Sequence, residues 1–145
     1  MPKTILIIDD DPAVLQSYGH LLRRLGHAVR LLGDPDQARR DPGVLSGVDL
    51  VILDERMPGV TGLDLLAALK ARRPAGASAP AVILISALLS DELREKAHRL
   101  GVGEVIEKPV NPQRLLESVR TALEDRARGG GAQGGAAPRA GAACP

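Results

Sequence analysis

The amino-acid sequence predicts one α/β domain with a five-stranded parallel sheet and helices on both faces. Five short apolar runs alternate with five helical patterns over about 125 residues, which is typical of repeated strand–helix units. Most of the runs are continuously apolar, as expected for strands that are buried on both faces. A chain of 145 residues is also long enough to bury a core without disulfide bonds.

Runs of β-branched and leucine residues, bounded by turn-forming residues, predict the five strands. Asp54 directly follows the third run, and a loop rich in Pro, Ala and Gly leads into the fourth. In chain order, the runs lie at residues 4–8, 27–32, 49–53, 81–85 and 104–107.

Apolar stripes at helical spacing, preceded by capping residues, predict the five helices. The first is expected over residues 12–25 and ends at Gly26. The second is short because Asp41-Pro42-Gly43 breaks it, and the last covers residues 112–126. The residues expected to open the first four helices are Asp11, Asp34, Thr61 and Ser90.

The domain is expected to cover residues 1–128, followed by a tail of mostly Gly and Ala at residues 129–145. Such a tail cannot bury a core, so we expect it to be disordered. The single cysteine, Cys144, lies in this tail and cannot form an internal disulfide. A reducing, cytoplasmic location is the simplest interpretation.

Charge and composition argue against nucleic acid or membrane as a direct partner. The net charge is +1, and the basic residues are scattered over separate segments. Tyr18 is the only aromatic residue, which excludes the stacking platforms of single-strand-binding proteins. The apolar run at residues 5–8 is too short for a signal peptide or a membrane span.

Polar and charged residues follow four of the five predicted strands. Asp9 and Asp10 follow the first strand and Asp54 the third, whereas Ser86 follows the fourth and Lys108 the fifth. Because the carboxyl ends of parallel strands meet at one edge of a sheet, we expect these side chains to converge. If the first and third strands are neighbours, their ends lie roughly 5 Å apart, and carboxylates that close repel each other.

A divalent cation, together with Lys108, would offset that repulsion, and a ligand set made only of oxygens favours Mg²⁺. This arrangement suits phosphoryl transfer to a carboxylate, which gives an acyl phosphate. The metal would neutralise charge on the phosphoryl oxygens and hold the reactants in line. Lys108 and the Ser86 hydroxyl would contact the remaining oxygens.

Each of these residues alone also fits an ordinary structural role. Residues 9–11 are compatible with a simple strand-to-helix turn that contains a capping aspartate, and Asp54 with another turn. A serine such as Ser86 is more often structural than functional, and a lone lysine such as Lys108 is usually solvated. The joint occurrence at four strand ends favours the functional interpretation.

The motifs that contain these residues resemble those of the receiver domain of bacterial two-component response regulators. The resemblance extends from about residue 4 to residue 126, with the usual order and spacing. It implies a flavodoxin-like sheet with the strand order 2-1-3-4-5. The matching motifs are Ile-Ile-Asp9-Asp10-Asp11, Val-Ile-Leu-Asp54-Glu-Arg-Met57-Pro58-Gly59, Ile-Ser86-Ala87 and Glu-Lys108-Pro109.

The resemblance also implies a metal site. Asp54 resembles the phosphoacceptor, which itself contacts the metal. Asp10 resembles the direct metal ligand, and Asp9 the acidic partner that binds the metal through water. The carbonyl of Arg56 resembles the remaining protein contact to Mg²⁺.

Other positions resemble the residues that respond to the phosphoryl group. Ser86 resembles the hydroxyl that turns toward it, and Lys108 the family's lysine. Pro109 follows Lys108 after a bond that is usually cis in the family. Asp11 lies outside the acidic pair and is better interpreted as a helix cap.

Two departures from the family pattern stand out. Val105 occupies the position of the aromatic residue that reports switching, so the output is expected to depend on loop and backbone shifts instead. Arg56 and Leu88 occupy the positions that tune the lifetime of the acyl phosphate. We hypothesise that this bulky pair hinders the attacking water and lengthens that lifetime.

The function implied is that of a stand-alone receiver, phosphorylated on Asp54 by a sensor histidine kinase or a phosphotransfer protein. Such a domain catalyses only its own phosphorylation and dephosphorylation, so it is a switch and not a metabolic enzyme. The resemblance points to the fourth helix, fifth strand and fifth helix, roughly residues 90–123, as the face for a downstream protein.

Two alternatives stay open at this point. The Asp9-x-Asp11 spacing mimics the nucleophile motif of aspartate-based phosphohydrolases, although Ala13 replaces the expected Thr or Val and Asp54 is then unexplained. The other is a degenerate receiver that binds its partner constitutively; Val105 gives this alternative some weight, but all charged positions of the phosphorylation site are intact.

Overall fold

Residues 2–129 are described by a computed structural model, and they form the predicted parallel α/β domain. The strands are β1 (Thr4–Ile8), β2 (Ala28–Leu32), β3 (Leu50–Asp54), β4 (Ala81–Ser86) and β5 (Glu104–Glu107). The helices are α1 (Pro12–Arg24), α2 (Pro35–Arg40), α3 (Gly62–Ala71), α4 (Asp91–Arg99) and α5 (Pro112–Gly129).

The sheet has the strand order β2-β1-β3-β4-β5, and all neighbouring strands are parallel. The fold class and the strand order implied by the resemblance are therefore confirmed. β1, β3 and β4 form the centre of the sheet, so their carboxyl ends lie side by side at one edge.

Side chains of the central strands alternate between two cores. In β1, Ile5 and Ile7 belong to the core covered by α1 and α5, whereas Leu6 and Ile8 belong to the core covered by α2, α3 and α4. β3 and β4 alternate in the same way. Because both faces of these strands are buried, the strands must be continuously apolar, and each buried Leu or Ile contributes about 1.5–3 kcal/mol.

The predicted helix caps are confirmed. The side-chain oxygens of Asp11, Asp34, Thr61 and Ser90 each accept a backbone N–H from the first turn of the helix that follows. A further cap, which was not predicted, is Asn111, whose side chain accepts the N–H of Gln113 at 2.8 Å at the start of α5.

The observed boundaries depart from the prediction in small ways. β4 includes Ser86, and α5 continues beyond Arg126 to Gly129. An antiparallel pair of two-residue strands, Arg56–Met57 and Val60–Thr61, is absent from the sequence prediction because two residues carry no periodicity. The rest of the predicted disordered tail, with Cys144, lies outside the described residues. None of the helices within residues 2–129 has both the length and the apolar character that a membrane span requires.

Asp49, which directly precedes β3, connects the beginning of β1 to α5. One carboxylate oxygen accepts the Thr4 N–H at 2.9 Å, and the other lies 2.8 Å from the Arg126 guanidinium of α5. Arg126 also donates to the Ala79 carbonyl at 3.0 Å, just before β4. Both charged side chains are about three-quarters buried, so this ion pair is less screened than one at the surface.

We predict that Asp49→Asn lowers the free energy of unfolding by about 1–2 kcal/mol, because the amide keeps the shape but loses the charge that faces Arg126. Glu95→Gln is the matched control, since its ion pair with Arg99 is exposed and is worth less than about 0.5 kcal/mol. Urea denaturation of both variants provides the measurement. Equal losses would show that the Asp49 pair contributes no more than a surface pair.

Candidate functional site

Four of the predicted site residues converge at the carboxyl edge of the sheet. Asp9 follows β1, Asp54 ends β3, and one carboxylate oxygen from each of Asp9, Asp10 and Asp54 lies within 4.8 Å of the others. The Lys108 ammonium lies 2.9 Å from Asp54 Oδ1. Asp9 and Asp54 are buried, whereas Asp10 is exposed, so the cluster opens to solvent on one side.

The negative charges of this cluster are only partly compensated. Burial raises the pKa of Asp9 from 3.8 to about 6, and the nearby charge of Asp54 adds to this effect. The Asp11 N–H, which donates to Asp9 Oδ1 at 2.9 Å, and the Lys108 ammonium both act in the opposite direction. A carboxyl group that holds its proton this tightly marks a site where another positive charge would be stabilising.

Lys108 is held as the counter-charge of Asp54. Partial burial disfavours its ammonium form, but the contact with Asp54 and the charge of Asp9 outweigh burial and raise its pKa above the usual 10.5. Lys108 is brought to this point by β5, and its backbone N–H donates to the Ser86 carbonyl at 2.9 Å. The Lys108–Pro109 bond is cis, as the resemblance implied.

The acidic residues fit a hard divalent cation. Asp54 Oδ1 is buried and accepts no aligned hydrogen bond from residues 2–129, although the Lys108 ammonium lies close to it. Three carboxylates against one ammonium leave the cluster negative, and oxygen ligands of this kind suit Mg²⁺. A cation bound by Asp9, Asp10 and Asp54 would neutralise this excess.

The Ser86 hydroxyl is engaged with its own loop. Ser86 is buried at the end of β4, next to β3, where its hydroxyl donates to the Leu88 carbonyl at 2.7 Å and accepts the Leu88 N–H at 3.2 Å. In this structure it therefore stabilises the turn that leads to α4. Leu88 itself is exposed, with 64% of its surface accessible.

The loop between β3 and α3 contains local structure that was not predicted from the sequence. Pro58 and Gly59 connect the two short antiparallel strands, and Gly59 has a φ of +82°, which favours glycine. Gly62 lies so close to β3 that a Cβ atom placed there would be 2.4 Å from the Asp54 carbonyl oxygen. Pro-Gly is a common turn sequence and is consistent with the observed turn, but nothing in the sequence indicated the contact at Gly62.

A cleft of about 590 Å³ lies beside the acidic cluster, between the β3–α3 loop and the start of α4. Arg56 and Leu88, the two positions linked by resemblance to acyl-phosphate lifetime, are both exposed on its lining. Their effect on lifetime stays a prediction, as does the metal contact of the Arg56 carbonyl. The other lining residues are Glu55, Met57, Pro58, Thr61, Ser86, Ser90 and Leu93.

Asp11 does not join the acidic cluster. Its side chain accepts the Ala13 N–H at 2.9 Å and caps α1, as predicted. The Asp9-x-Asp11 spacing was the feature that suggested a phosphohydrolase. Within residues 2–129 the acidic cluster is instead formed by Asp9, Asp10 and Asp54, and the Asp11 side chain caps the helix, which removes the main support for that alternative.

We predict that Asp9→Asn stabilises the metal-free protein at pH 7.5 by about 1 kcal/mol. The reason is that the raised pKa of Asp9 makes folding less favourable as the pH rises from about 4 to about 6 and Asp9 becomes charged. The amide removes that charge and can still accept the Asp11 N–H. The advantage should disappear near pH 4 and reverse when Mg²⁺ is added, because metal bound by the wild type stabilises its folded state.

Chemical denaturation in EDTA, repeated with Mg²⁺, gives the required values. Asp10→Asn is the control for the measurement in EDTA, because Asp10 is exposed and has the smallest effect on the pKa of Asp9. A metal-free Asp9→Asn protein that is less stable than the wild type at pH 7.5 would contradict the electrostatic explanation.

We predict that Gly62→Ala lowers the free energy of unfolding by about 1–3 kcal/mol, because its methyl group must displace the Asp54 carbonyl or α3. Gly43→Ala is the matched control, since a Cβ there would lie an ordinary 3.6 Å from Asp41 Oδ1. Urea denaturation compares the two variants. The steric argument fails if Gly62→Ala is as stable as Gly43→Ala.

Comparison with known proteins gives a consistent family assignment. The family model of the response regulator receiver domain matches residues 5–120. The transcriptional regulatory protein FixJ of Azorhizobium caulinodans is 36% identical over 125 residues, which cover 85% of this chain and 57% of that protein. The chain thus spans little more than half the length of that relative.

Two further similarities concern domain size and fold. The chemotaxis protein CheY of Treponema pallidum is 31% identical over 128 residues, which cover 85% of this chain and 84% of that protein. The crystal structure of a CheY-like receiver domain protein from Methanospirillum hungatei superposes with a TM-score of 0.76 at 27% identity, covering 88% of this chain and 98% of that chain. The chain therefore belongs to the response regulator receiver domain family of two-component systems.

Proposed function

We propose that this receiver domain is a phosphorylation switch in which Asp54 accepts a phosphoryl group in a Mg²⁺-dependent reaction. The observation that carries the proposal is the position of the Asp54 carboxylate. It is buried, lies 2.9 Å from the Lys108 ammonium, and has oxygens of Asp9 and Asp10 within 4.8 Å. A donor histidine of a sensor kinase or phosphotransfer protein supplies the phosphoryl group.

The transfer exchanges one bond for another. A carboxylate oxygen of Asp54 attacks the phosphorus as the bond from phosphorus to the donor imidazole nitrogen breaks, and an acyl phosphate results. The imidazole leaves with the electron pair of the broken bond. Lys108, already paired with Asp54, stays beside the transferred group and balances its added negative charge.

Asp9, Asp10, Asp54 and the carbonyl of Arg56 are the residues that would hold Mg²⁺. When bound, the metal neutralises charge on the phosphoryl oxygens and helps to keep donor and acceptor in line. The buried position of Asp9 and Asp54 fixes their carboxylates before a cation arrives, which lowers the cost of ordering the site. Asp10, exposed at the rim, is the ligand that a solvated ion meets first.

Switching follows from competition for the Ser86 hydroxyl. In the structure the hydroxyl donates to the Leu88 carbonyl, and after phosphorylation of Asp54 it would donate to a phosphoryl oxygen instead. Breaking that bond releases the turn at residues 86–90, where α4 begins. Val105 is partly buried and packs against the same core as α4. Because this position holds no aromatic residue, the proposed switch depends on shifts of the loop and the backbone.

The surface formed by α4, β5 and α5 is the proposed face for a downstream protein, because the released turn leads directly into α4. We infer no direct role for nucleic acid or membrane in the action of this domain, and a cytoplasmic location stays a prediction. Catalysis of its own phosphorylation and dephosphorylation is the only chemistry that this proposal requires.

We predict that the wild type takes up one phosphoryl group when incubated with acetyl phosphate and Mg²⁺, whereas Asp54→Asn takes up none. The amide has the shape of the carboxylate but is a far weaker nucleophile. Intact mass spectrometry measures the uptake. Asp41→Asn is the control, because Asp41 lies in an exposed turn and its amide can still accept the Gly43 N–H.

Removal of Mg²⁺ with EDTA should suppress labelling of the wild type and of Asp41→Asn alike. Equal labelling of Asp54→Asn would place the acceptor elsewhere. A wild type that remains unlabelled at saturating Mg²⁺ would favour the degenerate receiver over the phosphorylation switch.

A further inference from the structure

Glu55, the residue after Asp54, uses both its backbone and its side chain to join β3 to the neighbouring elements. Its N–H donates to the Ile85 carbonyl of β4 at 2.9 Å, and its carbonyl accepts the Gly62 N–H at 2.9 Å. Its carboxylate oxygen Oε1 accepts the Leu63 N–H, also at 2.9 Å. Glu55 is thus bonded to both β4 and the first turn of α3.

The side-chain bond of Glu55 differs from the ordinary cap of the same helix. The N-cap Thr61 accepts the Asp64 N–H and belongs to the chain that enters α3. Glu55 reaches α3 from the opposite end of the loop, across the two short antiparallel strands. Of these two caps, only the bond from Glu55 connects α3 to the segment that carries Asp54 and Arg56.

We propose that Glu55 is a positioning residue for the phosphorylation site, whose carboxylate clamps the start of α3 and thereby fixes the Asp54–Arg56 segment for cation binding. This inference rests on the proposed function and deepens it. The residues on either side of Glu55 are the acceptor carboxylate and the carbonyl proposed to bind Mg²⁺. A segment anchored at its centre keeps both groups aimed at one point.

Several features favour a clamp over a direct interaction with the cation. Oε1 is already occupied by the Leu63 N–H, and the carboxylate lies on the lining of the cleft, where it complements the positive end of α3. Burial raises the pKa of Glu55, and the Leu63 N–H opposes that effect, as expected of a carboxylate desolvated against a helix. Among the described residues, the acidic cluster at the sheet edge contains Asp9, Asp10 and Asp54 but not Glu55.

Two substitutions separate the clamp from the charge. Glu55→Gln keeps the length and an oxygen that can accept the Leu63 N–H but removes the charge. Glu55→Asp keeps the charge, but its shorter side chain does not reach Leu63. If the clamp matters, Mg²⁺ affinity falls roughly tenfold in Glu55→Asp and stays within about twofold of the wild type in Glu55→Gln.

The measurement is calorimetric titration of the unphosphorylated full chain with Mg²⁺, which does not depend on phosphoryl transfer. Thr61→Val is the control for helix stability, because it removes the other cap of α3 while keeping a β-branched residue in the short strand. Its denaturation curve should shift like that of Glu55→Asp, whereas its Mg²⁺ affinity should match the wild type.

Loss of affinity in Glu55→Gln with retention in Glu55→Asp would show that charge, and not the clamp, matters, and would overturn the proposal. Equal loss in Thr61→Val would also overturn it, because any weakening of α3 would then suffice. Wild-type affinity in both Glu55 variants overturns it as well. A wild type that binds no Mg²⁺ at all would instead contradict the proposed function.

Discussion

The constraint on which the site depends is the placement of like charges at one end of a buried sheet. β1 and β3 are parallel, hydrogen-bonded neighbours, so Asp9 and Asp54 at their carboxyl ends lie at the same edge of the sheet. Both aspartates are buried. Such a pair repels strongly in a medium of low dielectric, and Lys108 compensates only part of it. The fold therefore stores an electrostatic cost that a bound cation would relieve.

Packing of two hydrophobic cores, one on each face of the sheet, stabilises the fold against this repulsion between carboxylates. Alternating side chains of β1, β3 and β4 fill both cores, so the strand ends are held by packing rather than by the polar residues themselves. The loops beyond the strand ends are then free to carry chemistry. Of these, the loop from Asp54 to α3 is fixed by a tight contact at Gly62, whereas the turn after Ser86 is held by a single side-chain hydroxyl.

That contrast assigns different roles to the two loops. In the proposed switch, the β3–α3 loop is the one that would hold Asp54 in place, through its short antiparallel strands, the close contact at Gly62 and the bond from Glu55 to α3. The turn from Ser86 to Leu88 is the less constrained of the two, since its side-chain bonds both come from the Ser86 hydroxyl and Leu88 is exposed. A phosphorylation switch needs both kinds of loop. One holds the reacting groups in position, and the other changes conformation and so alters the surface that a partner contacts.

The five strands, the four helix caps and the polar residues that follow the strands could be predicted from the amino-acid sequence, because periodicity and capping are local properties and apolar runs end where polar residues begin. These polar residues are Asp9, Asp10, Asp54, Ser86 and Lys108. Features that depend on distances between segments far apart in sequence could not be predicted in this way. These are the ion pair of Lys108 with Asp54, the raised pKa of Asp9, the approach of Gly62 to the Asp54 carbonyl, and the bond from Glu55 to α3. No local pattern encodes such distances, since they arise only when the sheet packs against its helices and brings the strand ends into one low-dielectric edge.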